Sequence, residues 1–147
     1  TEGENMETSR KTTDELLELL KQKKSFDEYL QEGPEFVDMG LPQYLEEVMK
    51  IKGLKKADVI RKSQLDRIYA YQIFSGTRKP NRDKLLALGF GMELSIEEMQ
   101  KMLKISEYPI LYVKNKRDSI ILFGLKKKAS LSEVNELLYE MHENIIE

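Results

Sequence analysis

Basic side chains, which can pair with phosphate or another polyanion, are concentrated in one window of this 147-residue chain. Residues 41–80 hold nine lysines and arginines against four acidic residues. The corresponding counts are five against eleven in residues 1–40 and ten against eleven in residues 81–147, and the formal net charge is −2. This concentration is typical of a face that binds a polyanion, but charge alone favours an ordinary solvated surface equally well.

Other kinds of chemistry are excluded by residues that the chain lacks. It has no cysteine and a single histidine, His142, which excludes thiol nucleophiles, disulfides, thiolate zinc sites and histidine pairs. It also has no glycine-rich phosphate loop and no carboxylate pair outside helix-face spacing. We therefore expect no enzyme activity, no cofactor and no metal. The lack of cysteine, of a signal-peptide layout and of an apolar run near 18 residues favours a cytoplasmic protein without a membrane partner.

The apolar spacing predicts an all-α chain. Residues 1–11 have no apolar periodicity, and we expect a disordered tail there. Residues 12–40 predict an acidic segment of two short helices, the first of which is capped by Thr13 or Asp14 and runs to about Lys24. These helices carry much of the chain's acidic excess.

The basic window is predicted to contain three helices. Helical periodicity covers residues 41–52, 55–63 and 66–75, and Gly53 and Gly76 end the first and the third. A basic loop of sequence Thr-Arg-Lys-Pro follows the third helix. Basic side chains therefore lie at the end of the first helix, at both ends of the second, at the start of the third and in the loop after it.

A repeat at a spacing of 35 residues predicts the architecture of the C-terminal half. Residues 82–103 align without a gap with residues 117–138. The identical pairs are Arg82/Arg117, Asp83/Asp118, Gly89/Gly124, Ser95/Ser130, Glu98/Glu133 and Leu103/Leu138. Each copy is predicted to be a helix, a short turn and a second helix that begins with a Ser-x-x-Glu capping box. Because two copies fall short of a solenoid, we interpret residues 106–147 as an extension that duplicates a helical hairpin.

Two features of the repeat need an interpretation. Residues 110–123 resemble a β-hairpin when taken alone, but the equivalent leucine-rich segment of the first copy favours a helix over residues 118–126. The Arg-Asp pairs recur at helix starts, where an aspartate faces the positive end of the helix dipole. We therefore expect these pairs to be structural and not catalytic.

Three short motifs occur between residues 53 and 99. They are Gly53-Leu54, Gly76-x-Arg78-x-Pro80 and Ser95-Ile96-x-Glu98-Met99. With the helix that precedes them, they resemble the helix-turn-helix domain of the lambda repressor/Cro-like (Xre-type) family over about 40% of the chain. The resemblance implies a lambda repressor-like domain over residues 41–105 within the all-α fold, between the N-terminal helices and the duplicated hairpin.

The chain departs from the pattern of this family at four positions in and beside the turn. Gln64 stands where the family usually has glycine, at a cost of about 1 kcal/mol. Ile60 replaces a small alanine and Ala70 replaces a larger aliphatic residue, so the two changes are expected to compensate in core volume. Ser63 replaces an apolar residue. We expect the fold to tolerate all four substitutions.

The resemblance implies that the helix over residues 66–75 enters the major groove of duplex DNA and presents its N-terminal residues to base edges. The implied base-reading residues are Arg67, Ile68 and Gln72, with Asp66 and Tyr71 beside them. Arg67 is then expected to bond guanine O6 and N7, Gln72 to bond adenine N6 and N7, and Ile68 to contact a thymine methyl group. Asp66 either accepts a hydrogen bond from cytosine N4 or caps its own helix.

The resemblance also implies contacts to DNA phosphates, which position a protein without reading sequence. The implied residues are Lys55, Lys56, Tyr69, Thr77, Arg78 and Lys79. The first two begin a helix whose N–H groups and dipole favour a phosphate, and the last three form a second clamp.

Some of these side chains have an alternative, structural interpretation. Tyr69, Tyr71 and Phe74 have the size and spacing to pack as core or as a contact between subunits. Arg78 has the alternative role of stabilising its own loop, because the long stem of an arginine can cover apolar surface while its head stays in water.

Two functions follow as hypotheses. The first is a sequence-specific transcriptional regulator of bacterial type, which binds double-stranded DNA, usually as a two-fold dimer. The second is a protein-interaction adaptor that keeps the fold and does not bind DNA. The acidic N-terminal helices and the duplicated hairpin are the candidate surfaces for a homodimer or for another protein partner. A steep fall of duplex affinity with salt distinguishes the first function from the second.

Overall fold

The computed structural model describes residues 12–33 and 39–147. The disordered tail expected for residues 1–11 lies outside them. The described residues form nine helices and no strand, so the all-α prediction is confirmed for this part of the chain. Within the same residues, no helix has both the length and the apolar character to cross a membrane. The chain divides into two compact units, Thr1–Asp38 and Met39–Glu147.

In the first unit, the described residues form helices α1, Thr13–Gln22, and α2, Phe26–Gln31. Thr12 is the N-cap of α1, and its hydroxyl accepts a 3.1 Å hydrogen bond from a backbone N–H of the first turn. The cap predicted at Thr13 or Asp14 is therefore wrong, since both of these residues already lie inside the helix.

The second unit contains seven helices. They are α3 (Leu41–Lys52), α4 (Lys56–Ser63), α5 (Arg67–Ser75), α6 (Arg82–Gly91), α7 (Ile96–Ile105), α8 (Lys116–Lys126) and α9 (Leu131–Glu140). Gly53 and Gly76 end α3 and α5 in the left-handed conformation, with φ of +64° and +84°, which confirms both predicted helix ends. The helix predicted over residues 118–126 is also confirmed, and the β-hairpin alternative is excluded.

Helix α4 packs closely on α6, and one glycine makes this possible. A Cβ atom at Gly91 would lie 2.6 Å from the carbonyl oxygen of Val59 and would overlap the hydroxyl of Ser63. Ser63 is buried, and its hydroxyl donates a 2.6 Å hydrogen bond to that same carbonyl. The serine that departs from the family pattern is therefore a small, internally bonded side chain, as this close contact requires.

The other departures are also accommodated in the second unit. Ile60 and Ala70 are both buried in a core that is continuous across the seven helices. Gln64 adopts a left-handed conformation with φ of +56°, the backbone geometry for which glycine is usually chosen. Its side-chain amide donates a 2.6 Å hydrogen bond to the Ser132 hydroxyl.

The two copies of the repeat exchange salt bridges. Arg82 pairs through both terminal nitrogens with the carboxylate of Asp118, at 3.2 and 3.1 Å. Arg117 pairs in the same way with Asp83, at 3.1 and 2.9 Å. The arginine of each copy thus binds the aspartate of the other, and such reciprocity indicates an approximate two-fold relation between the copies. The structural role predicted for these pairs is confirmed.

Further contacts recur at the same spacing and extend the repeat towards the C-terminus. The amide of Gln100 bonds both backbone groups of Leu111, and the amide of Asn135 bonds both backbone groups of Ile146. Both predicted capping boxes are present. Helix α6 packs on α9 and α7 packs on α8, so the two hairpins form one pseudo-symmetric group of four helices.

Candidate functional site

Helix α5 divides into a buried face and an outward face. Ala70, Ile73 and Phe74 are buried in the core. On the other side, Arg67 is exposed, Ile68 is 70% exposed and Tyr71 is also exposed. The outward face is therefore accessible to a ligand. Packing in the core was one of the structural interpretations of Phe74 and Tyr71, and it holds for Phe74 but not for Tyr71.

Asp66 determines where α5 begins. Its carboxylate accepts a 3.0 Å hydrogen bond from the N–H of Tyr69. Of the two roles left open for Asp66, helix capping is the one that this geometry supplies. The cap places Arg67 and Ile68 in the first turn of the helix.

Arg78 links the loop after α5 to the helix itself. Its Nε donates a 3.0 Å hydrogen bond to Oε1 of Gln72, and its guanidinium carbon lies 5.5 Å from the ring centroid of Tyr69. These contacts supply the loop-stabilising role, while Arg78 stays exposed. They also orient the Gln72 amide, whose oxygen has a second lone pair for another donor.

Two more cations of the site lie over aromatic rings. The guanidinium carbon of Arg67 is 5.8 Å from the ring centroid of Tyr71, and Nζ of Lys56 is 5.2 Å from that of Phe74. Contacts of this kind contribute about 0.5–1 kcal/mol at exposed sites, which biases a side chain without fixing it. Both cations remain free to turn towards an anion.

Lys79 is supported by a residue that the sequence interpretation missed. Its Nζ lies 5.4 Å from the ring centroid of Tyr108, whose hydroxyl donates a 2.5 Å hydrogen bond to the carbonyl of Pro80. Tyr108 follows α7 and is remote in sequence from Lys79, so no local pattern connects the two. The loop that carries the basic residues is therefore held from outside the predicted motif.

The start of α4 also suits an anion. Because a lysine side chain has no acceptor, the N-cap residue Lys55 leaves the first N–H groups of α4 without a side-chain cap of its own. Such N–H groups and the helix dipole attract anions, and Lys55 and Lys56 are both exposed there. Asp58 lies in the same turn and is 3.5 Å from Arg61.

A shallow groove on α5 collects part of the predicted set. It is lined by Lys56, Arg67, Ile68, Tyr71 and Gln72, together with Phe74 and Ser75, which the base- and phosphate-contact predictions do not include. The remaining predicted residues, which do not line it, are Lys55, Asp66, Tyr69, Thr77, Arg78 and Lys79. These lie at the start of α4, at the cap of α5, within α5 and in the loop after it. The exposed cations among them are Lys55 at the start of α4 and Arg78 and Lys79 in the loop after α5.

Comparisons with known proteins add no relative. No protein-family model matches the chain, and no curated protein or solved structure matches it. The chemistry of the α5 face is then the basis for assigning a function.

Proposed function

We propose that this protein is a sequence-specific DNA-binding transcriptional regulator with a lambda repressor-like helix-turn-helix domain over residues 41–105. Helices α4 and α5 are the two helices of the motif, and α5 is the recognition helix that enters the major groove of double-stranded DNA. The observation that carries this proposal is the outward face of α5, which has hydrogen-bonding and apolar side chains along it and exposed cations beside it, at the start of α4 and in the loop after α5.

The outward face of α5 offers groups that can read base edges. Arg67 has the forked donor geometry that matches guanine O6 and N7, and the amide of Gln72 matches adenine N6 and N7. Ile68 offers a contact for a thymine methyl group. The hydrogen bond from Arg78 to Gln72 holds the amide in one orientation, which lowers the entropy lost when a base is bound.

The cations around α5 are proposed to contact phosphates. Lys55 and Lys56 stand at the uncapped start of α4, and Arg78 and Lys79 stand in the loop after α5. Contacts of this type fix the position of a protein on the duplex and make the affinity depend on salt. In this proposal the two clusters anchor the recognition helix on the DNA backbone.

The proposal is tested by selecting bound sites from random duplexes and then titrating one selected duplex by fluorescence anisotropy. The Arg67→Ala variant is expected to lose about 1–3 kcal/mol of discrimination at one base position. The Lys56→Ala variant is expected to weaken all duplexes alike and to reduce the slope of log K against log salt by about 0.9. Lys104→Ala removes an equally exposed charge from α7 and is the control that leaves binding unchanged.

If the protein is instead an adaptor that does not bind DNA, the same experiment is expected to show neither sequence preference nor strong salt dependence. A chain that only binds proteins yields no preferred sequence from the selection, and it binds every duplex weakly and without the salt dependence expected from phosphate contacts. That result would contradict the regulator function and support the adaptor function.

A further inference from the structure

The two hairpins of the repeat differ in one outer face. In the first hairpin, Leu85, Leu88 and Met102 are fully buried, and α4 packs on α6 and α3 packs on α7. The residues 35 positions later are Ile120, Phe123 and Leu137. Phe123 is exposed, with 50% of its surface accessible, whereas Ile120 and Leu137 are less exposed than that. Among the described residues of the second unit, no helix packs on α8 in the way that α4 packs on α6.

This face of the second hairpin forms an apolar groove of about 490 Å³. Its apolar lining comes from Val113, Ile120, Phe123, Leu137 and Met141. Of these, Val113 and Met141 are exposed together with Phe123. Exposed apolar side chains that adjoin one another favour an interaction site, whereas single exposed apolar residues need no explanation.

The rim of the groove is cationic. The charged residues in its lining are Lys114 and Lys116, and Nζ of Lys127 lies 5.5 Å from the ring centroid of Phe123. Glu143 lies 4.0 Å from Lys116 and offsets part of that charge on one side. The groove therefore presents an apolar floor with a net positive rim, which favours a partner with acidic flanks.

We propose that this groove binds an amphipathic helix of a partner protein, with large aliphatic residues facing the floor and acidic residues on both flanks. A helix fits this site because, in the first hairpin, helices α4 and α3 pack on α6 and α7, the equivalents of α8 and α9. A second copy of this chain fits poorly, since a two-fold contact through this face would bring the two lysine rims together. The groove shares no lining residue with the groove on α5, so a partner here does not compete for the side chains of the α5 face.

The experiment uses two synthetic helical peptides of 18 residues with leucines at the i, i+3, i+4 and i+7 positions. One carries glutamates on the flanks of the leucine stripe, and the other carries lysines at the same places. Binding to the full chain is measured by fluorescence anisotropy. The glutamate peptide is expected to bind at least tenfold more tightly than the lysine peptide. A double charge reversal, Lys114→Glu with Lys127→Glu, is expected to reverse that preference.

Variants of the groove floor test the same site by packing. Phe123→Asp and Val113→Asp are each expected to weaken the glutamate peptide at least tenfold, whereas Tyr139→Asp, at a more exposed aromatic residue of α9 outside the groove, leaves its affinity unchanged. Circular dichroism checks that each variant keeps its helices. Equal binding of the two peptides, or no effect of either floor variant, would overturn the proposal. Dissociation of a dimer by Phe123→Asp, seen by light scattering, would also overturn it and assign the groove to a second copy.

Discussion

The two hairpins of the second unit share a scaffold and differ in what surrounds them. The reciprocal Arg-Asp bridges, the capping boxes and the side-chain amides that hold the following segment are the same in both. The outer face of α6 is covered by α4, whereas that of α8 is open. Gly91 of α6 has Lys126 as its equivalent in α8. Among the residues that recur, the arginines and aspartates hold the two hairpins to each other. The residues that differ reflect what packs on the outside.

The largest difference in stability between equivalent variants of the two hairpins is expected at the position of Gly91. In Gly91→Ala the new methyl group meets the backbone of α4, which cannot move aside as a flexible side chain can, so we expect a loss of about 3 kcal/mol in the free energy of unfolding. The equivalent change in the second hairpin, Lys126→Ala, alters an exposed residue and is expected to stay within about 0.5 kcal/mol of wild type. Urea unfolding followed by circular dichroism measures both. Similar losses for the two variants would contradict the difference in surroundings.

A smaller difference in the free energy of unfolding is expected between variants of the two exchanged salt bridges. Arg82→Ala leaves the buried carboxylate of Asp118 without its guanidinium, and we expect a loss of about 2–3 kcal/mol. Arg117→Ala leaves Asp83, whose side chain is more exposed to water, and we expect about 1–2 kcal/mol. The same unfolding measurement checks both values. If Arg117→Ala were the more damaging variant, burial of the aspartate would not explain the energy of these bridges.

The helices of this chain were largely predictable because their signals are local. Apolar spacing and the stop glycines Gly53 and Gly76 gave the bounds of the helices that build the candidate site to within one residue. The outward face of α5 follows from the same periodicity. The cap of α1 at Thr12 was missed, because a run of neighbouring polar residues offers several equivalent N-caps.

Contacts between distant residues were not predictable from the sequence. The identity of the repeated arginines and aspartates indicates a structural role, but only the fold shows that each arginine crosses to the other copy. The support of Lys79 by Tyr108 and the accommodation of Ser63 by Gly91 join residues far apart in the chain. The open face of α8 was also hidden, since its apolar residues lie on several sides of the helix and do not show which side is covered.

The smallest difference is expected in the pH dependence of two equivalent carboxylates. Burial raises the pKa of Glu98, but hydrogen bonds from Lys52 and from the backbone of Ser95, with the charge of Lys52, bring it below the usual 4.5. The pKa of Glu133 is lowered by hydrogen bonds from Ser130, without a lysine partner. A carboxylate with a lowered pKa in the folded state stabilises the fold above its unfolded pKa, and this stabilisation is lost as pH falls through the folded value.

The pH dependence of Tm measures this difference. We expect Glu98→Gln to lower Tm at pH 7 and to match wild type once the pH falls below the lowered pKa of the folded state, where the wild-type carboxylate is protonated. Glu133→Gln is expected to follow the same course with a smaller amplitude. Equal amplitudes would show that the capping hydrogen bonds, and not Lys52, determine the effect.

Methylation interference measures whether the outward face of α5 contacts the major groove of the duplex. Guanine N7 lies in the major groove and adenine N3 lies in the minor groove. Methylation at guanine N7 within a selected duplex is predicted to block binding by the wild-type chain, methylation at adenine N3 is predicted to have no effect under α5, and Arg67→Ala is predicted to lose the sensitivity at one guanine. If N7 methylation has no effect on binding anywhere in the site, that result would contradict the proposal that α5 enters the major groove.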